Sequence, residues 1–304
     1  MHRKYVRYLW VFALALLVPS LARQARASGA ALELAPKDAL GVLHADVEKL
    51  RKTQLFKDIE KEIREDVEGK KTLAKLRADA GIDPFKDITG VTVVFGPNMI
   101  KQSRDVLAIV EGTYNQAKVL KFIEQAEHEA PVAKTGPNGA YYLADHGSIA
   151  VAFRGKRVLL GAPQLVERAL GKADGKAVLA AVRAPVENDM LWFAAATNGE
   201  ARSRLGMLGS DTLETLAVGF SAPAGAKLHV HAHFSDPAQA AALAKELTDA
   251  LARSQKDPML TQFGVEMLLQ KVLVVANNGD LDIAAELTKK ELEGVQKVVT
   301  PLIH

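Results

Sequence analysis

Residues Lys227–Phe234 read KLHVHAHF, and the alternation within this stretch decides the class of fold. Leu228, Val230, Ala232 and Phe234 occupy every second position, so they lie on one face of a strand. A strand that is apolar on one face and polar on the other is typical of antiparallel sheets that are covered on one side only. We therefore predict an α+β protein, built mainly from antiparallel sheet with helices packed on one face.

The polar positions of the same strand carry histidines. His229, His231 and His233 alternate with the apolar residues, which places three imidazoles on one face at intervals of roughly 6.5–7 Å. Two imidazoles of a His-x-His pair can bind one transition metal such as Zn²⁺ or Cu²⁺. Alternatively, these histidines lie on the solvent-exposed or partner-facing side of the sheet, and the protein uses no cofactor. The sequence leaves both possibilities open.

The chain around this strand has two halves that follow the same order of predicted elements. Val91–Glu124 and Leu216–Leu247 each predict a strand, a loop, a second strand and a capped helix, and Val151–Leu170 matches Val272–Val298. Residue identity between the halves is low, so we predict two tandem pseudo-repeats from the order of elements alone. The predicted organisation is a signal peptide at 1–27, a first α+β unit at 28–171, a connection at 172–188 and a second α+β unit at 189–304.

Local signals predict the ends of several elements. Gly41–Val47 predicts a strand, and Glu48–Ile63 predicts the helix that follows it. Asn115 and Ser235 stand where helix N-caps are expected. The Asn278-Gly279 pair predicts a hairpin turn between two strands, because both residue types accept the positive φ angles that such turns require.

The first 27 residues have the features of a secretory signal peptide. A basic start precedes the apolar run Leu9–Leu17, and Ala25-Arg26-Ala27 fits the small-x-small cleavage rule. The wider apolar stretch from Tyr8 to Ala22 is shorter than the ~20 residues needed to span a bilayer. We therefore predict a periplasmic or secreted protein, cleaved after Ala27, with no integral membrane span after cleavage. An uncleaved N-terminal membrane anchor is the alternative.

The charge of the chain changes sign once this leader is removed. The full chain has 39 Lys+Arg and 36 Asp+Glu residues, a net charge of +3. The leader contains five of the basic residues and none of the acidic ones, so the mature chain has 34 basic and 36 acidic residues. A net charge of −2 does not supply the attraction that dominates nucleic-acid affinity, so we predict no nucleic-acid binding. The absence of cysteine excludes thiol nucleophiles, zinc–thiolate sites and cysteine-linked lipids.

The sequence contains none of the common catalytic motifs in complete form. There is no G-x-S-x-G nucleophile elbow and no G-x-G-x-x-G dinucleotide fingerprint. Gly69-Lys70-Lys71-Thr72 lacks the upstream glycine and the preceding strand of a phosphate loop. His128-Glu129 begins like a zinc-protease helix but lacks the second histidine. Asp280 and Asp282 are assigned to turn geometry at the predicted hairpin. We therefore predict no catalytic residues.

A series of segments carries a resemblance to other proteins. They read, in order, ALGVLHADVEKL at 39–50, FKDI at 56–59, GIDPFKDITGVTVVFG at 81–96, VLAIVEGTYN at 106–115, VLKFIE at 119–124, YY at 141–142 and VAFRGKRVLLGAPQLVERAL at 151–170. Their order resembles a broad group of uncharacterised exported bacterial proteins, in which a signal peptide precedes two related α+β units. The resemblance implies fold and location, and no activity.

These observations predict a non-catalytic exported protein. We expect it to bind an envelope protein or a small ligand through a surface or groove between the two halves. The alternative is a metal-binding protein that uses His229, His231 and His233. A hydrolase-type enzyme with a dispersed site is the third possibility.

Overall fold

The structure is a computed structural model that describes residues 32–99, 101, 104–171, 179–197, 211–222, 225–256, 266–288 and 290–291. The described residues fall into two compact units, divided between Ala180 and Ala181. The paired strands within each unit are antiparallel and are interspersed with helices, which confirms the α+β class. Among the described residues, no helix combines the length and the apolar character needed to cross a bilayer. The predicted signal peptide lies outside the described residues, and the internal repeat stays a prediction.

The first unit contains seven strands in the spatial order β1-β2-β3-β7-β6-β5-β4. The strands are β1 Gly41–Asp46, β2 Ile88–Phe95, β3 Val106–Gly112, β4 Val132–Gly136, β5 Gly139–Ala144, β6 Ile149–Arg154 and β7 Arg157–Gly161. The helices are α1 Val47–Leu50, α2 Gln54–Glu65, α3 Val67–Lys75, α4 Pro84–Asp87, α5 Gln116–Glu127 and α6 Pro163–Leu170, with a π-helical turn at Leu76–Ala80 and a 3₁₀ turn at Asp145–Gly147. Residues 90–94 and 106–109 are buried at every position, as expected for central strands covered on both faces.

The predicted helix Glu48–Ile63 is two helices in the structure. The strand β1 ends at Asp46, whose side chain accepts a hydrogen bond from the Lys49 N–H at 2.9 Å and so caps α1. Thr53 then accepts a hydrogen bond from the Phe56 N–H at 3.0 Å and caps α2. Two successive caps therefore divide a segment whose composition favours helix throughout.

The strand β4 has no counterpart among the sequence predictions. Its residues, VAKTG, are exposed or half-buried, so they lack the apolar alternation that identifies a half-buried strand. It pairs with β5 at one end of the strand order of the first unit.

The second unit contains five strands in the order β11-β12-β10-β9-β8. The strands are β8 Leu191–Ala196, β9 Leu213–Ser221, β10 Gly225–Phe234, β11 Val272–Asn277 and β12 Asp280–Thr288. The helices are α7 Ala180–Arg183 at the division between the units, α8 Pro237–Ser254 and α9 Glu266–Leu269.

The core of the second unit lies between α8 and one face of the strands. Ala240 of α8 is fully buried in a cluster with Ala232, Phe234 and Leu281. Two residues from the apolar positions of the KLHVHAHF stretch therefore face the helix, as the alternation predicts. The cap of α8 differs from the prediction: Asp236, rather than Ser235, accepts the Ala238 N–H at 2.9 Å.

Other local predictions are confirmed. Asn115 caps α5 by accepting the Lys118 N–H at 3.1 Å. Asn278 and Gly279 form the two-residue turn between β11 and β12, with φ angles of 48° and 91°. Since both angles are positive, the turn has the twist that two-residue hairpins favour.

Candidate functional site

The histidine-bearing strand β10 lies between β9 and β12, and this position brings acidic residues to the histidines. In the antiparallel register of β10 and β12, His231 is opposite Asp282 and His233 is opposite Asp280. Residues that are directly opposite in such a pair project from the same face and touch. The three histidines therefore share their face with two carboxylates.

A third carboxylate comes from β9. The pairing of β9 with β10 shifts by one residue between His233 and Phe234, and Glu214 lies at this irregularity. Its Oε2 atom is 3.8 Å from Nε2 of His233. A local shift in register can redirect a side chain in this way.

These six side chains form a chain in which imidazoles and carboxylates alternate. We call it the histidine ladder; its members in order are His229, Asp282, His231, Asp280, His233 and Glu214. Oδ1 of Asp282 lies 3.5 Å from Nε2 of His229 and 2.8 Å from Nδ1 of His231. Oδ1 of Asp280 lies 3.9 Å from Nε2 of His231 and 2.7 Å from Nδ1 of His233. His231 and His233 thus each lie between two carboxylates.

The ladder is accessible from solvent. Its side chains keep between 23% and 46% of their surface exposed, because α8 packs on the opposite face of the strands. Lys227 and Glu286 are opposite each other on the same face and balance each other in charge. The ladder adds the three carboxylates of Asp280, Asp282 and Glu214 to this face. The ladder can therefore attract a cationic group.

The predicted shared face of His229, His231 and His233 is present in β10, but the sequence does not identify the acids beside them. Asp280 and Asp282 contact His233 and His231, so their assignment to turn geometry is incomplete. Their alternation with Leu281 and Ile283 of the apolar core placed them on a polar face. No local pattern specifies that β12 pairs with β10, so the sequence does not predict that these aspartates lie beside the histidines.

The ladder offers only part of what a metal ion needs. Within the described part of the chain, no three His, Asp or Glu side chains are arranged so that they could hold one ion. The carboxylates that bond Nδ1 of His231 and His233 nevertheless resemble the partners that orient metal-binding imidazoles in known sites. The predicted ligands His229, His231 and His233 share a face, and their binding of metal stays a prediction.

Apolar side chains border the ladder on β11. Leu273 and Val275 keep 66% and 57% of their surface exposed, and Val275 is directly opposite Asp282. Exposed leucine and valine side chains next to a row of carboxylates form a mixed apolar and acidic surface. Such a surface is suited to contact with a partner.

A second cluster of polar side chains is buried in the first unit. Nδ1 of His44 lies 2.8 Å from Oγ1 of Thr92, and Nζ of Lys49 lies 3.4 Å from Oδ2 of Asp46. Burial, together with the Lys49 charge, lowers the pKa of His44 to about 4. Burial also raises the pKa of Asp46, although hydrogen bonding and the charge of Lys49 act against it. Because the four residues are at least nine-tenths buried, the cluster is suited to a structural role.

A depression of about 590 Å³ in the first unit is lined by three basic residues, Arg64, Arg77 and Lys86. Asp83 also lines it and lies 2.7 Å from Arg77 and 3.7 Å from Arg64. Because Asp83 already pairs with both guanidinium groups, they are not arranged to bind an anion. The depression is weaker than the ladder as a candidate site.

Comparison with known proteins adds only distant structural neighbours. No family model and no curated protein matches the chain. Crystal form III of TP0453 is similar with a TM-score of 0.46 and 11% identity, covering 89% of this chain and 97% of that chain. Crystal form I of TP0453 gives a TM-score of 0.43 and 12% identity, covering 92% and 100%. Similarity at this level carries no information about the function of this chain.

Proposed function

We propose that the protein is an exported, non-catalytic binding protein that recognises a basic partner through the histidine ladder. The observation that carries the proposal is the alternation of three imidazoles with three carboxylates on one accessible face of the second unit. The ladder lies on the surface of paired strands, where a partner protein can reach all six side chains. A surface of this kind is suited to recognition.

The charge of the ladder supports a basic partner. Asp280, Asp282 and Glu214 place three carboxylates on this accessible face, each within 3.9 Å of at least one imidazole nitrogen. Opposite charge across an interface speeds association and discriminates against acidic competitors. Lysine or arginine side chains of a partner therefore complement this face.

The test measures binding of a labelled deca-lysine peptide to the mature protein by fluorescence anisotropy. We expect the double variant Asp280→Asn, Asp282→Asn to bind about fivefold more weakly or worse, since each exposed ion pair contributes up to about 1 kcal/mol. The matched control is Asp249→Asn, which removes an exposed carboxylate of α8 that pairs with Lys245. Equal weakening by the control would mean that the peptide responds to net charge and that the ladder has no special role.

Metal binding by His229, His231 and His233 is the second candidate function. It is favoured by the bonds between carboxylates and Nδ1 of His231 and His233, because such bonds hold an imidazole in a fixed orientation. Neighbouring histidines of a His-x-His pair could then bind Zn²⁺ or Cu²⁺ with water as the remaining ligands.

Calorimetric titration with Zn²⁺ and with Cu²⁺ tests this second candidate. If it is correct, the wild-type protein binds either ion more tightly than the variant with all three histidines replaced by alanine. His128→Ala is a suitable control, because His128 is exposed at the C-terminal end of α5, outside the ladder. Equal affinity of the wild type and the triple variant would eliminate the ladder as a metal site.

A further inference from the structure

The strand β11 lies at one end of the strand order of the second unit. Its inner edge pairs with β12 without a register shift, and no strand within the described residues pairs with its outer edge. The two-residue turn makes Asn277 and Asp280 the hydrogen-bonded pair that closes the hairpin. By the alternation of an antiparallel ladder, Val272, Val274 and Ala276 then direct their N–H and C=O groups outward.

The side chains of β11 do not protect this edge. Natural edge strands are usually protected by lysine, proline, bulges or a very short length. Residues 272–276 read VLVVA and contain none of these protective features. By contrast β4, which ends the strand order of the first unit, carries Lys134. The outer edge of β11 therefore retains the chemistry needed to pair with another strand.

The surface beside this edge matches the long side chains of basic residues. Leu273 and Val275 form an exposed apolar strip, and Asp282 and Asp280 lie one strand further in. A lysine or arginine has an apolar stem and a charged head, so its stem can pack on Val275 while its head approaches Asp282. An added strand about 4.8 Å outside β11 would place its side chains within reach of both.

We propose that a partner binds by adding an extended segment to the outer edge of β11 as an antiparallel strand. The segment carries lysine or arginine at alternate positions on the ladder face and apolar residues at the intervening positions. Its backbone pairs with Val272, Val274 and Ala276, and its basic heads reach Asp282 and Asp280. This inference rests on the proposed function, since it specifies how the basic partner of the ladder binds.

A second copy of this chain is a poorer occupant of the edge. Pairing of two β11 strands would align Val272–Ala276 with itself, and this stretch carries no basic side chain. It would also join two faces that each carry an excess of carboxylates. A basic segment from another protein removes both disadvantages.

The experiment uses a fluorescein-labelled peptide, Ser-Lys-Val-Arg-Val-Lys-Ser, and the mature full-length chain. A second peptide, Ser-Lys-Pro-Arg-Pro-Lys-Ser, has the same charge but cannot pair as a strand. We expect the valine peptide to bind at least about tenfold more tightly than the proline peptide. Hydrogen exchange should slow at the backbone amides of Val272, Val274 and Ala276 when the valine peptide binds.

Single-residue variants distinguish the contribution of the β11 edge to peptide binding from the contribution of the ladder carboxylates. Val275→Lys should weaken binding of the valine peptide by about tenfold or more, since it adds a positive charge at an exposed position of the edge. Asp282→Asn should weaken it by a smaller factor. Val132→Lys, at an exposed position of the unrelated strand β4, is the matched control and should leave the affinity unchanged.

Four results would overturn strand addition. If both peptides bind equally and both need Asp282, the ladder attracts charge without pairing at the edge, and the proposed function stands alone. If the protein forms a dimer that Val275→Lys dissociates, the edge is occupied by a second copy. If the valine peptide binds only after residues 292–304 are removed, the chain itself occupies the edge. If neither peptide nor deca-lysine binds, the proposed function fails as well.

Discussion

Single residues of the buried cluster show how tertiary contacts change the chemistry of a side chain. His44 has a strand neighbour, Thr92, from 48 positions along the chain, and it is only 3% exposed. A histidine in the pattern GVLHADV has no local feature that distinguishes it from a solvent-exposed one. Its lowered pKa arises from burial and from the Lys49 charge, and folding both buries the imidazole and holds it near that charge.

This cluster predicts a loss of stability in acid. The pKa of His44 is about 4 in the folded protein against 6.5 when unperturbed, so protons bind more readily to the unfolded chain. As far as His44 is concerned, the free energy of unfolding is therefore highest above pH 6.5. It decreases by about 3 kcal/mol as the pH falls toward 4. The measurement is hydrogen exchange of the β1 and β2 amides at pH 7 and pH 4, corrected for the intrinsic effect of pH on exchange.

The variant His44→Gln isolates this effect. It keeps a polar group near Thr92 but does not titrate in this range, so its loss of stability between the two pH values should be smaller by about 3 kcal/mol. The raised pKa of Asp46 acts in the opposite direction, and it cancels when wild type and variant are compared. An equal pH dependence of the two proteins would contradict the assignment to His44.

At the scale of elements, the hairpin β11–β12 shows what local sequence can predict. The Asn278-Gly279 pair predicts the turn, and the alternation of Leu281 and Ile283 with aspartates predicts which side faces the core. The pairing of β12 with β10 lay beyond prediction, because α8, α9 and β11 separate these strands in sequence. The contacts of Asp280 and Asp282 with the histidines depend on that pairing, so the sequence does not predict them.

The same turn gives a prediction about stability. Gly279 has a φ of 91°, and a Cβ added there would lie 2.7 Å from the Phe234 carbonyl oxygen. Gly279→Ala should therefore lower the free energy of unfolding by about 2 kcal/mol, through backbone strain and close contact. Asn278→Gly is the control: glycine accepts the φ of 48° at this position, so we expect a change within about 0.5 kcal/mol.

Urea unfolding followed by the fluorescence of Trp192 provides the measurement. Trp192 is buried in β8, and the other tryptophan of the chain, Trp10, lies in the predicted leader. The signal from the mature protein therefore reports on the second unit. Equal stability of the two turn variants would show that the left-handed conformation of Gly279 imposes no constraint.

At the scale of the whole molecule, the leader is characterised by its sequence alone, whereas the two units are seen in the structure. The predicted export signal occupies residues 1–27, which lie outside the described residues, while the two units divide between Ala180 and Ala181. The proposed export, and the change of net charge from +3 to −2 that accompanies it, therefore rest on sequence features of the leader.

Export predicts a defined N-terminus. The protein recovered from the periplasm or the medium of an expressing bacterium should begin at Ser28, as read by intact mass spectrometry. Ala27→Arg should block cleavage and leave the leader attached, because the cleavage site requires a small residue. Recovery of the wild-type chain from the membrane fraction with residues 1–27 intact would instead support an N-terminal anchor.

Local sequence patterns are enough to predict the α+β class, the alternation of β10, the turn at Asn278-Gly279 and the shared face of the three histidines. These features follow from local periodicity and from the φ angles that individual residues accept. The strand pairing of the folded chain brings Asp280, Asp282 and Glu214 to the histidines, and it leaves one edge of β11 without a pairing strand among the described residues. Strand order and register depend on contacts between distant segments, and a pattern with a period of two residues carries no information about which strand lies beside it.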